Sequence, residues 1–169
     1  MNLQETALQW NLNLTLSKPL KVLIHFLEIG HSIIIKKGFE KFLEEVIHKE
    51  NKRLGEIQII FTDNKNILEI NRSFLNHHYY TDVITFAQSK RNTLSGDIYI
   101  SVDQVYTNSK LFNVSFLDEL GRVIIHGVLH LIGYGDKSEN EQSVMRQKED
   151  DYLCWLKKYD LIAEREIKL

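Results

Sequence analysis

Cysteine, proline and any imbalance of charge are nearly missing from this 169-residue chain. One cysteine, Cys154, excludes an internal disulfide and with it a disulfide-stapled secreted framework. One proline, Pro19, and 8 glycines leave no Pro/Gly-rich linker, and there is no repeat or low-complexity tract. Lys and Arg number 21 against 23 Asp and Glu, a formal net charge of −2. Capture of nucleic acid by bulk electrostatics is thereby excluded, and any such contact has to use a local patch. No apolar run approaches the roughly 18 residues of a membrane helix. The N-terminal residues lack the basic, apolar and small-residue order of a secretory signal. A cytoplasmic protein is expected.

What remains is an ordinary globular composition, 43% hydrophobic and 26% charged, with enough chain for one core. Residues 1–20 show no clear periodicity and are set apart as an extension of undetermined order. Residues 21–160 are expected to form a single domain, and residues 161–169 a C-terminal tail. Strands are expected at Lys21 to Ile29, Glu56 to Thr62, Tyr80 to Ala87 and Gly96 to Ser101, with a polar loop over Ser89 to Ser95. Helical spacing of Phe39, Phe42, Leu43, Val46 and Ile47 marks a helix over Gly38 to Asn51. Asp63 caps a helix over Asn64 to Leu75, and a further helix covers Asp103 to Phe112. Ser115 with Asp118, and Ser138 with Glu141, open helices over Ser115 to Ile132 and from Ser138 to about Tyr159. The fold class is α+β: a mixed sheet packed with helices, the chemistry lying on a helix of the C-terminal half.

That chemistry concentrates in RVIIHGVLHLIGYGDK, Arg122 to Lys137. His126 and His130 stand four apart, so on a helix both imidazoles project from one face, about one turn apart. Gly133 lets the chain leave the helix in a left-handed conformation. Asp136 then returns six residues after His130, where a carboxylate can complete a metal site. The pattern H-x3-H-x2-G-x2-D parallels the metzincin arrangement, with Asp in place of the last His. Three protein ligands with a fourth position open describe a catalytic centre rather than a structural one.

One absence narrows the reaction. A zinc peptidase of this layout carries Glu after the first His as general base. Here that residue is Gly127. Phosphodiester cleavage asks less of such a base, because an RNA 2′-hydroxyl can itself attack, while positive charge against the transition state is required.

HGVLHLIGYGDK resembles the H-G-x-L-H-L-x-G-Y-D-H signature of the YbeY family. ILEINRSFLNHHYYTDVITF is similar to that family's segment ending T-D/N-V-L/I-S/T-F, and SGDIYIS to its G-D-I/L-x-I-S strand. ENEQSVMRQKED fits downstream, so the resemblance runs from about Lys21 to Tyr159. It implies a bacterial cytoplasmic endoribonuclease, a metal-dependent hydrolase directed at single-stranded RNA. The implied role is rRNA processing at the 3′ end of 16S rRNA and ribosome quality control. Implied partners are single-stranded RNA, rRNA, and the small ribosomal subunit or assembly factors, with no membrane. One Zn2+ per chain is implied at His126, His130 and Asp136, which are the expected metal-ligating and catalytic residues.

Two positions depart from the family pattern. Its usual third ligand is His, where this chain has Asp136. Many members carry a substrate-contacting Arg where this chain has Leu75, which makes Arg72, about one helical turn earlier, a candidate replacement. Lys137 and His77 are the other candidate substrate contacts, His77 and His78 standing in a loop with Tyr79 and Tyr80. Asp82 and Asp97 are candidates for orienting the histidines, or for capping strand ends. Competing readings are a metallopeptidase-like hydrolase of another bond, and a non-catalytic ribosome-assembly factor with a structural metal.

Overall fold

The structure, a computed structural model, describes residues 21–164 apart from 28, 30 and 31. The extension 1–20 lies outside the described residues. Strand β1 (Val22–Phe26) is followed by the short β2 (Ile33–Ile35), helix α1 (Phe39–Lys49), β3 (Arg53–Thr62) and α2 (Asn64–Leu75). Then come β4 (Val83–Ala87), β5 (Thr93–Ser101), α3 (Val102–Leu111), α4 (Phe116–Ile132), α5 (Glu139–Tyr159) and β6 (Ile162–Glu164). The four-stranded sheet has the order β1-β3-β5-β4. β1, β3 and β5 run parallel, and β4 pairs antiparallel to β5.

Helix starts are set by side-chain caps at the positions the sequence marks. Asp63 accepts from the Asn66 amide at 2.8 Å, Ser115 from Asp118 at 3.0 Å, and Ser138 forms a reciprocal capping box with Glu141. On α1 the five residues at helical spacing, Phe39 to Ile47, are all buried. Helix α4 is apolar almost all round: Leu120, Val123, Ile124, Ile125, Val128, Leu129 and Leu131 are buried. Such a helix is stable only when covered on several sides. The sheet covers one side, and α3 and α5 cover others. Each buried Leu, Ile or Val side chain contributes on the order of 1.5–3 kcal/mol, so α4 is the rigid centre of the molecule.

The structure departs from the sequence reading at the edges of elements. β5 begins at Thr93, inside the expected loop, because Thr93 and Leu94 pair with Arg53 and Leu54. β4 begins at Val83, and β1 stops at Phe26. The domain also continues past residue 160 into the expected tail. Leu161 is buried, and Ile162–Glu164 pairs antiparallel with Ile33–Ile35. Three-residue strands show no periodicity, and their partners are far away in sequence, so nothing local marks them.

Candidate metal centre

The last two turns of α4 and the turn after it build one cluster. His126 and His130 stand with rings nearly perpendicular, centroids 4.3 Å apart. Gly133 ends the helix at φ 116, a left-handed value that costs glycine no Cβ clash. Its N–H donates to the carbonyls of Leu129 and His130, and Tyr134 N–H donates to Leu129 at 3.0 Å. The chain is thereby folded back along the helix end. Asp136 Oδ2 arrives 3.5 Å from His130 Nε2 and 3.8 Å from His126 Nε2. Among the described residues these three side chains form the group able to hold a metal, their ligand atoms all within 4.8 Å of one another.

This arrangement fits a tetrahedral ion. Ligands at about 2.0–2.1 Å lie about 3.3 Å apart along a tetrahedron edge, a few tenths of an ångström inside the two carboxylate–imidazole separations. Two imidazoles and a carboxylate are a zinc donor set, and three of them leave one position free. Cys154 is exposed and is not a member of the group.

The far nitrogens of both rings are held. His130 Nδ1 lies 2.9 Å from the Tyr134 carbonyl. A carbonyl only accepts, so Nδ1 carries the proton and Nε2 keeps its lone pair for the metal side. His126 Nδ1 lies 2.6 Å from Glu149 Oε1, whose buried carboxylate imposes the same tautomer. Arg122 in turn bridges Glu149 at 3.1 Å and Asp150 at 2.9 Å. Burial alone would lower the His126 pKa. The hydrogen bond and charge of Glu149, with Asp82 and Asp136 adding, outweigh burial and raise it.

A second support holds the turn. Tyr134 donates its hydroxyl to Glu50 Oε2 at 2.6 Å, and Lys148 Nζ donates to Glu50 Oε1 at 2.6 Å. Tyr152 donates to the same carboxylate. Burial raises the Glu50 pKa, but these three donors outweigh it and hold the carboxyl below its ordinary value. Tyr134 is therefore fixed by its hydroxyl while its carbonyl fixes His130.

The three ligand side chains form one wall of an open cleft of about 390 Å³. Asn71, Leu75, His77, Tyr79 and Asp82 contribute to the other walls. His77 Nδ1 lies 3.1 Å from the Tyr79 hydroxyl, and the two rings stack at 5.1 Å. Arg72 and Lys137 are exposed and stand outside the lining. Asp82 lines the cleft and accepts from Asn108 at 3.0 Å, whereas Asp97 accepts from Gln88 at 3.1 Å away from it. Neither carboxylate orients a histidine; Glu149 does. Gly127 points into the sheet: a Cβ there would lie 2.7 Å from Ile98 Cγ2 and 3.3 Å from Val83 Cγ2. A side chain at this position meets Ile98 and Val83 at its first carbon.

The family described as Endoribonuclease YbeY matches residues 27–157. The chain belongs to the YbeY family. Endoribonuclease YbeY of Karelsulcia muelleri is 52% identical over 120 residues, covering 71% of this chain and 85% of that protein. The Flavobacterium psychrophilum relative of the same name is 47% identical over 126 residues, covering 75% and 90%. A solution structure of a Thermotoga maritima protein superposes with a TM-score of 0.52 at 29% identity, covering 78% of this chain and 86% of its own.

Against the YbeY pattern quoted above, the geometry accommodates the change at the third ligand, since the Asp136 carboxylate reaches both Nε2 atoms. Leu75, at the family's Arg position, lines the cleft as an apolar group. Glu149, Arg122, Tyr134 and Glu50 escaped the sequence reading. For Glu149 a signal existed: it falls on the buried stripe of α5 with Met145, Tyr152 and Leu156, where an acid has no place without a partner. Glu50 ends an amphipathic helix and carries no such mark.

Proposed function

We propose that this YbeY-family endoribonuclease is zinc-dependent, with one ion per chain held by His126, His130 and Asp136. It cuts single-stranded RNA in the cytoplasm, acting in rRNA processing at the 3′ end of 16S rRNA and in ribosome quality control on the small subunit. The observation that carries this reading is the convergence of three ligand atoms, with both histidines locked in the metal-binding tautomer, on the wall of an open cleft.

When bound, the ion supplies positive charge toward a phosphate oxygen and acidifies water. The chain's own part is to hold both rings by Nδ1, through Glu149 and the Tyr134 carbonyl, so that both Nε2 atoms face the ion's position. No Lys or Arg lines the cleft among the described residues, so no side-chain cation backs up the metal there. His77, braced by Tyr79, is the imidazole at the cleft that can contact a phosphate or hold a proton. Arg72 and Lys137 are left to contact RNA outside the cleft. A peptidase reading fails at Gly127, whose position faces Ile98. An assembly-factor reading needs a closed structural site, and among the described residues the group has three members rather than four.

The test is cleavage of an end-labelled single-stranded RNA beside the same sequence annealed to its complement, before and after chelation and zinc return. Cutting of the single strand alone, abolished by chelation and restored by zinc, is expected. Undiminished cutting after complete metal removal would overturn the proposal.

A further inference from the structure

A second groove, of about 420 Å³, lies across α2 from the metal centre. Leu27 and Thr62 form one side, at the C-terminal ends of β1 and β3, and Ile70 and Phe74 of α2 form the other. The ends of parallel strands are the usual place for ligands in open α/β sheets. Helix α2 divides the two depressions: Ile70 and Phe74 line the groove, and their chain successors Asn71 and Leu75 line the cleft.

Three observations define what the groove takes. Phe74 is 70% exposed, yet its ring is braced at 5.4 Å by Phe86, which is braced at 5.8 Å by Tyr99. An exposed aromatic ring braced by a second ring, on the helix that also walls the metal cleft, can serve as a stacking platform, since every base has a π-face. Among the described lining residues the one charged side chain is Glu69 and none is Lys or Arg, so the lining itself offers phosphate no cation and suits an uncharged base. Thr62, in the groove's lining, is fully buried, and its hydroxyl has no hydrogen-bond partner among the described residues. Hydrogen-bonding capacity thus remains unmet beside the apolar walls.

We propose that this groove is a nucleobase subsite for a nucleotide flanking the scissile phosphate, with Phe74 as its stacking surface. The inference rests on the RNA-cleavage reading. An apolar protein segment is the other occupant such walls accept, but the groove's place on the helix that also walls the metal cleft favours the base.

The test uses the zinc-loaded full chain and a short single-stranded RNA with one dominant cut, remade with an abasic nucleotide at each flanking position in turn. Phe74→Ala is expected to lower kcat/KM about tenfold, and Phe74→Trp to stay within about twofold of the parent. One abasic position is expected to cost the parent a similar factor and to cost Phe74→Ala nothing further. Cleavage by Phe74→Ala at the parental rate, with every abasic position costing both proteins alike, overturns the subsite and leaves the cleavage reading intact. No cleavage of any RNA by the parent overturns both.

Discussion

Glu149 and His126 stand 23 residues apart in sequence and 2.6 Å apart in space, carboxylate to Nδ1. The carboxylate fixes the ring's tautomer and makes the imidazole a stronger ligand. Glu149→Gln keeps the size and an acceptor oxygen but removes the charge. Zinc affinity, read by competition with a chromophoric chelator, is expected to fall about 10- to 100-fold. An unchanged affinity would remove Glu149 from the account of the site.

Glu119 supplies a pH signature in another part of α4. Burial raises its pKa above the ordinary 4.5, Asp82 and Glu149 add to the rise, and Arg122 and Asn108 oppose it. A folded-state pKa above the unfolded one means the fold prefers the protonated carboxyl. The stability this contributes is complete below about pH 4.5 and lost as pH rises through the folded pKa. Glu119→Gln, which stays neutral, is therefore expected to unfold at higher urea than the parent at pH 7.5. Its advantage should vanish near pH 4.5. Equal midpoints at both pH values would contradict this.

How much of this was legible in the chain depends on distance along it. His126, His130, Gly133 and Asp136 lie on one helix end and its turn, so their spacing alone fixes their geometry. The caps Asp63, Ser115 and Ser138 act over three residues and were equally readable. Glu149 and Glu50 reach the site across 23 and 84 residues, and no local rule brings them there. Arg72 shows the opposite failure: helical spacing from Leu75 suggested a shared region, but the cleft takes Asn71 and Leu75 and leaves Arg72 in solvent.

Gly127 tests the packing of α4 on the sheet. A Cβ 2.7 Å from Ile98 Cγ2 forces side chains or the helix to move, and overpacking of this kind costs typically 1–3 kcal/mol. Gly127→Ala is expected to lose stability within that range in urea titrations. Gly127→Glu is expected to gain no peptidase activity, because the carboxylate enters the sheet side. Peptide cleavage by that variant would contradict the orientation.

Glu50 tests the outer support of the turn. Glu50→Ala leaves Tyr134, Lys148 and Tyr152 without their shared acceptor. Of the three only Tyr152 is buried, and a buried polar group left unpaired costs about 1–3 kcal/mol, so a fall in melting temperature is expected. Tyr134→Phe removes one donor and keeps the carbonyl on His130. Its zinc affinity is expected to fall less than that of Glu149→Gln, and a larger fall would mean that the hydroxyl, not the carbonyl, governs the site.

The central claim is that the His126, His130 and Asp136 centre cuts RNA. Its most direct measurement is cleavage of one end-labelled single-stranded RNA by parent and His130→Ala proteins, prepared in parallel and supplied with the same zinc. Loss of a ligand should remove both the tightly bound ion and the cutting, with at least a 100-fold fall in rate. Equal cutting by the two proteins would assign the activity to something other than this metal centre.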